Sequence, residues 1–303
     1  MGAGPTPAPG GANVFRDCPE CPEMVVVPAG RFTMGSPADD PKARPQEFPQ
    51  REVVLQQPFA TGRFEVTRQQ FEVFANATGL SEENYCWMST NWVAGRGLER
   101  FMVRTNKRKI VEVKGLTWRR PGFQQSDTEP VVCVSWDDAM AYVNWLSQRT
   151  GHRYRLLSES EWEYAARANT TGHYAWDETT EESCKSANGA DRQMRAVFGQ
   201  FPGASYCSDG FILTAPAGMY RANAFGLHDM FGNVWEWTED CYSADYVGAP
   251  ADGRSRQDGS CDVRVTRGAS FWNPLDFLRS SHRNREAREM RSMLVGFRVA
   301  RDL

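Results

Sequence analysis

Nothing in these 303 residues approaches the run of roughly 18 apolar side chains that a membrane-crossing helix requires, so no transmembrane span is expected. No Gly-x-Ser-x-Gly elbow, phosphate-binding loop or dinucleotide fingerprint occurs, which leaves those enzyme classes without support. Only four histidines are present, His152, His173, His228 and His282. None stands in HxxxH or HxH spacing, so a non-haem iron site has no basis. A net charge of -3, with Lys and Arg scattered except between Arg279 and Arg291, gives no reason to expect nucleic acid or an anionic membrane as partner. There is no internal repeat, and no Pro/Gly/Ser-rich linker breaks the chain after residue 11.

What is present points to an irregular, cross-linked globular protein. Ten Trp and 26 Gly suggest a loop-rich fold in which aromatics substitute for long regular elements. The eight cysteines form an even set spread over distant loops, as disulfides in an oxidising compartment would. Metal binding competes, but only Cys18-Pro-Glu-Cys21 has ligand-like spacing, and one CxxC makes half a zinc site. Cys241–Cys261 and Cys184–Cys207 are the expected pairs. Each would close a loop of roughly 20 residues, worth about 3 kcal/mol. The first eleven residues lack a basic start and an apolar run, so they read as a linker and not as a signal peptide. With an export signal removed or not included, the periplasm or the extracellular space is the expected location, and the cytoplasm is the alternative. Residues 1–22 are assigned to a flexible linker and 23–303 to one domain.

Along that domain, Met24–Pro28, Gly30–Ser36, Val53–Leu55, Phe64–Val66 and Val131–Val134 read as short strands. Thr67 caps a helix that runs to Thr78 and stops at Gly79, with Phe71, Phe74 and Ala77 on one face. Ser135 with Asp138 and Ser158 with Glu161 form capping boxes for two more helices. Residues 81–130 read as long excursions, and loops with short strands are expected beyond Ala168. Few helices amid irregular chain make this an α+β protein.

Six segments in order resemble the formylglycine-generating enzyme (sulfatase-modifying factor) family. They are Pro28-Ala-Gly-Arg-Phe-Thr-Met-Gly-Ser36, Glu65-Val-Thr67, Pro130-Val-Val-Cys-Val-Ser-Trp136, Arg155–Arg167, Gly232-Asn-Val-Trp-Glu-Trp237, and Arg267-Gly-Ala-Ser270 with Gly296-Phe-Arg298. The resemblance spans roughly residues 24–301 and implies an elaborated C-type-lectin-like fold with little regular structure. Leu157 stands where the family usually has Pro, and Ala269 where it usually has Gly.

The resemblance also implies structural calcium. One site would use Asp229, the Gly232 and Val234 carbonyls and Glu236; the other Asn188, the Gly189 carbonyl, Asp209 and the Phe211 carbonyl. In the family's oxidase members two cysteines after the Arg-Gly-Gly-Ser block bind Cu(I), which activates O₂ and turns a substrate cysteine into an aldehyde. Here Asn273 and Leu278 fall at those positions, and no cysteine follows Cys261, which argues against copper. Trp235, Ser270, Trp272, Asn273, Phe277, Arg279, His282, Arg283 and Arg285 fall on the segments that line the family's substrate groove. The expectation is a calcium-stabilised, non-copper module that binds a protein, peptide or glycan. The alternative is an oxidase that makes formylglycine, or a related enzyme.

Overall fold

The structure is a computed structural model that describes residues 13–81, 83–89, 110–176, 180–198 and 201–303. In chain order its first elements are β1 (Val14–Phe15), β2 (Met24–Val27), β3 (Gly30–Met34), β4 (Arg51–Leu55), β5 (Phe59–Gly62) and helix α1 (Arg68–Thr78). Next come β6 (Tyr85–Ser89), β7 (Ile110–Lys114), α2 (Trp136–Thr150), β8 (Tyr154–Leu156), α3 (Glu159–Arg167), α4 (Thr180–Ser186) and α5 (Arg192–Phe198). The chain ends with β9 (Trp235–Tyr242), β10 (Ser260–Arg267), β11 (Arg283–Ala287), β12 (Val295–Phe297) and β13 (Val299–Asp302). This is an α+β fold with much irregular chain.

One antiparallel sheet has the order β1-β2-β5-β13-β8, which joins both ends of the chain. A second, β11-β10-β9-β12, is antiparallel except for the parallel β9–β12 pair. The domain starts earlier than expected. Val14 pairs with Val25 and Phe15 with Met24, so part of the supposed linker is an edge strand. Two expected strands are displaced. The strand near residue 64 lies instead at β5, and residues 131–134 run between Val66 and Ser292 without joining a sheet. The expected excursion at 81–130 contains the β6–β7 pairing; its residues 90–109 lie outside the described residues.

The three expected helices form where their caps stand. Thr67, Ser135 and Ser158 each accept from the backbone three residues on, while Gln70, Asp138 and Glu161 reach back to the cap. These reciprocal bonds satisfy donors that the first turn leaves open. Between α1 and α2 the apolar faces meet in an aromatic cluster. Phe71 lies 5.1 Å from Trp118 and Tyr142 lies 5.4 Å from Phe297, ring centre to ring centre. All eight cysteines are paired, as Cys18–Cys21, Cys86–Cys133, Cys184–Cys207 and Cys241–Cys261. The last two are the expected pairs.

Candidate functional site

The C-terminal segment carries the expected groove residues, but the fold turns most of them inward. Trp235, Ser270, Trp272, Arg279, His282 and Arg283 are buried, Asn273 and Phe277 are partly covered, and only Arg285 is exposed. Four arginines of this segment are buried, Arg267, Arg279, Arg283 and Arg298, and each meets a buried carboxylate from far along the chain. Arg279 donates two 2.8 Å bonds to Glu47, Arg283 two 2.7 Å bonds to Glu159, and Arg267 one of 2.5 Å to Glu163. Arg298 closes on Glu236 at 2.8 Å and also donates to the carbonyls of Gly62 and His228. A buried guanidinium without its carboxylate would carry a desolvation cost of several kcal/mol. Bidentate pairing therefore fixes where this segment sits.

Glu47 anchors the densest of these clusters. Burial pushes its carboxyl up, but hydrogen bonds from His282, Arg279 and Ser36 outweigh burial and bring it down to about 2. The Ser36 hydroxyl donates to Glu47 at 2.6 Å, and His282 Nδ1 lies 3.2 Å from it. His282 is held below its ordinary value by burial, against the pull of Glu47. It is thus a packed residue, wedged between Phe277 and Trp235 at 4.9 and 5.7 Å.

At the two positions where the family resemblance leads us to expect the counterparts of copper ligands, the side chains are otherwise engaged. Asn273 Oδ1 accepts from Ser270 N–H at 2.9 Å and from its hydroxyl at 2.7 Å. Leu278 is buried, and a Cβ placed on Gly189 would lie 3.1 Å from its Cδ2. A small void of about 10 Å³ borders Leu278 and Gly189, at the limit of a single water. Trp272 is packed by Phe198 and Phe201 at 5.0 and 5.5 Å.

The residues expected to hold calcium fall into two neighbourhoods joined at Asn188 and Gly232, whose backbones form a bridge. Gly232 has φ of 76°, and a Cβ there would lie 2.0 Å from the Asn188 carbonyl oxygen, so only glycine permits this approach. Glu236 does not stand free beside Asp229: Arg298 and the Trp162 indole N–H occupy its oxygens. Asp229 Oδ2 accepts from Gly218 N–H at 2.5 Å, whereas Oδ1 is buried without a hydrogen bond. Glu65 Oε2 is in the same condition, and the Asp229 charge disfavours ionisation of Glu65. Burial, with a smaller push from Glu236, lifts Asp229 to about 6, and burial, more than the Asp229 charge, lifts Glu65 well above the carboxylate range. In the second set Asp209 accepts from the Gly189 and Phe211 amides at 3.2 and 2.9 Å, and burial with Asp191 nearby raises it to about 7. The side-chain oxygen of Asn188 is buried with no donor.

Reasoning from the sequence missed the open cleft that lies beyond Glu47. It has a volume of about 750 Å³, and Arg31, Asp40, Tyr164, Arg167, Thr171 and His173 are among the residues around it. The β3–β4 hairpin forms one wall and the turn after α3 the other. Ser36 and Ser281, which bond each other at 2.7 Å, connect its floor to the Glu47–Arg279 pair. His173 Nε2 lies 3.1 Å from the buried Asp40 carboxylate.

Residues 12–303 match the domain described as sulfatase-modifying factor enzyme 1-like. The chain belongs to the sulfatase-modifying factor family. It is 32% identical over 293 residues to the formylglycine-generating enzyme of Streptomyces coelicolor, with 92% of this chain and 89% of that one covered. It is also 32% identical over 296 residues to inactive C-alpha-formylglycine-generating enzyme 2 of Mus musculus, covering 92% and 85%. Among solved structures, PvdO from Pseudomonas aeruginosa superposes with a TM-score of 0.78 at 36% identity, covering 98% of this chain and 100% of that one.

Relatives of this sulfatase-modifying factor domain thus include proteins named as enzymes and proteins named as inactive. Family membership fixes the scaffold here, and activity has to be argued from side chains. Two departures from the family's usual residues now have a setting. Ala269 adopts φ of 65°, the left-handed region that glycine takes most readily. Leu157 is buried, and its carbonyl accepts from Glu239 N–H at 2.9 Å.

Proposed function

We propose that this chain is a family member that works without copper, a calcium-braced, C-type-lectin-like module that binds a polypeptide segment in the cleft beyond Glu47. One observation carries the non-copper half. Every cysteine is spent in a disulfide within the chain, and the two positions expected to match copper ligands are an amide bonded to Ser270 and a leucine packed on Gly189. Cu(I) is a soft ion that takes thiolate, and neither side chain supplies it. The cleft supports the binding half. It offers hydroxyls, an aromatic ring and charges of both signs around about 750 Å³, a mixture suited to a peptide's backbone and side chains. Arg279, which the sequence placed in a groove, serves to hold its floor.

Calcium is a hard ion that seeks oxygen, and the buried acceptors without donors on Asp229, Glu65 and Asn188 suit it. At the first site Asp229 with the Gly232 and Val234 carbonyls would hold the ion. Its charge there would be balanced by Asp229 and Glu65, since Arg298 already neutralises Glu236. At the second, Asn188 and Asp209 with the Gly189 and Phe211 carbonyls would do so. When bound, the ion supplies structural bracing of long loops. The four disulfides support a periplasmic or extracellular setting. No helix among the described residues is long and apolar enough to cross a membrane.

A peptide-display selection on the immobilised protein tests the binding claim, with a Thr171→Trp variant that fills the cleft as the control. Sequences enriched on the native chain and lost on the variant are expected. Enrichment that ignores the variant, or retention of glycans alone, would refute the assignment. A competition titration with Cu(I) tests the rest: stoichiometric, tight copper would overturn it.

A further inference from the structure

The Cys18–Cys21 bridge lies apart from the site above, in the connection between β1 and β2. Its two sulfurs belong to differently exposed residues. Cys21 is fully buried in the core, whereas Cys18 is only partly covered. The Cys21 N–H donates to the Cys18 carbonyl at 3.1 Å, so the four residues form a tight turn. This asymmetry decides which sulfur is attacked in thiol–disulfide exchange. An outside thiolate reaches the outer sulfur, and the inner one leaves; in the reduced form the inner thiol is the resolving group.

A second feature separates this bridge from a staple. The turn is held by contacts that involve no sulfur. The Arg16 guanidinium donates to the Pro19 carbonyl at 3.3 Å and to Glu23 at 2.9 Å. Arg149 pairs with Glu20, Arg301 lies 2.9 Å from Asp17, and the Tyr154 hydroxyl donates to Asp17 at 2.6 Å. Pairing of β1 with β2 holds both ends. Opening this bridge frees a loop with two residues between the cysteines. The other three bridges close sequence separations of 47, 23 and 20 residues, and chain entropy resists their opening in proportion to the logarithm of the loop.

We propose that Cys18 and Cys21 form a redox-active pair that exchanges with an external dithiol while the domain stays folded. A thiolate of the dithiol attacks Cys18 Sγ, and the Cys21 sulfur leaves with the bonding electrons and takes a proton. The second thiol of the dithiol then attacks its own sulfur in the mixed disulfide and releases Cys18. The dithiol loses two electrons and two protons and becomes a disulfide; the Cys18–Cys21 bridge gains both and becomes two thiols.

The test is to equilibrate the full chain with graded dithiothreitol, block thiols with N-ethylmaleimide, and map each bridge by mass spectrometry with circular dichroism at every step. Cys18–Cys21 is expected to open at about tenfold less dithiothreitol than the other three bridges, with an unchanged spectrum. Oxidised dithiothreitol should close it again. A Cys21→Ser variant is expected to take up one glutathione at Cys18 from glutathione disulfide. Opening of Cys18–Cys21 together with the other bridges, or with loss of the folded spectrum, would overturn the proposal. So would a folded Cys21→Ser chain that stays unmodified. If that variant does not fold, the dithiothreitol titration of the native chain decides alone.

Discussion

Replacing Glu47 with Gln removes one charge from a cluster whose partners stay behind. Arg279 would lose its bidentate partner and keep only the Asp40 carboxylate at 3.8 Å, and Ser36, Ser281 and His282 would lose an anionic acceptor. Two independent routes give the magnitude. Breaking one side of a buried ion pair costs about 3–5 kcal/mol. A carboxyl brought from 4.5 to about 2 on folding contributes about 3.4 kcal/mol at neutral pH. The second route also fixes the pH window. Because the folded-state value is depressed, this stability is present above 4.5 and is lost as pH falls through about 2. Urea unfolding of native and Glu47→Gln chains across pH 2–7 reads the difference directly, since acids common to both cancel. The difference should be about 3–4 kcal/mol at pH 7, about 1.4 at pH 3 and close to zero at pH 2. A Glu47→Gln/Arg279→Met double variant should recover part of the loss, because no unpaired charge remains. A difference below about 1 kcal/mol at pH 7, or one that stays constant down to pH 2, would refute the buried-pair account.

Three further outcomes follow from the same structure. Ser158→Ala should cost about 1–2 kcal/mol in thermal or chemical unfolding, since its hydroxyl both caps α3 and donates to the Gly253 carbonyl at 2.6 Å. Phe71→Ala should cost about 3–5 kcal/mol, because the ring is fully buried among Phe74, Trp118, Tyr142 and Phe297. Chelation should lower the melting temperature and added calcium restore it, with Asp229→Asn reducing both effects; equal melting curves with and without chelator would count against the ion.

Local signals were legible in the sequence. Each capping box lies within four residues, so Thr67, Ser135 and Ser158 marked their helices directly. Two disulfides followed from spacing, and six segments in order fixed the scaffold. The arginines were not legible, because the acids they meet lie far away along the chain: 232 residues separate Glu47 from Arg279 and 124 separate Glu159 from Arg283. A stretch such as Arg279–Arg285 read alone looks like a charged surface. The cleft was invisible for a similar reason, since its walls come from Gly30–Leu55 and the turn after α3. Helices α4 and α5 were missed where loops were expected; α4, Thr-Glu-Glu-Ser-Cys-Lys-Ser, is polar enough to hide any periodic apolar stripe. The strand expected at Phe64–Val66 slipped because β5 is only four residues long and buried throughout, which leaves no alternation to fix its register.

The scaffold and its lack of available thiolate meet in one measurement. Purified protein is incubated with Cu(I), O₂ and a Cys-x-Pro-x-Arg peptide, and the peptide is weighed by mass spectrometry. The account predicts an unchanged cysteine peptide, because Asn273 and Leu278 offer the ion no sulfur. Copper-dependent appearance of the aldehyde product would contradict it.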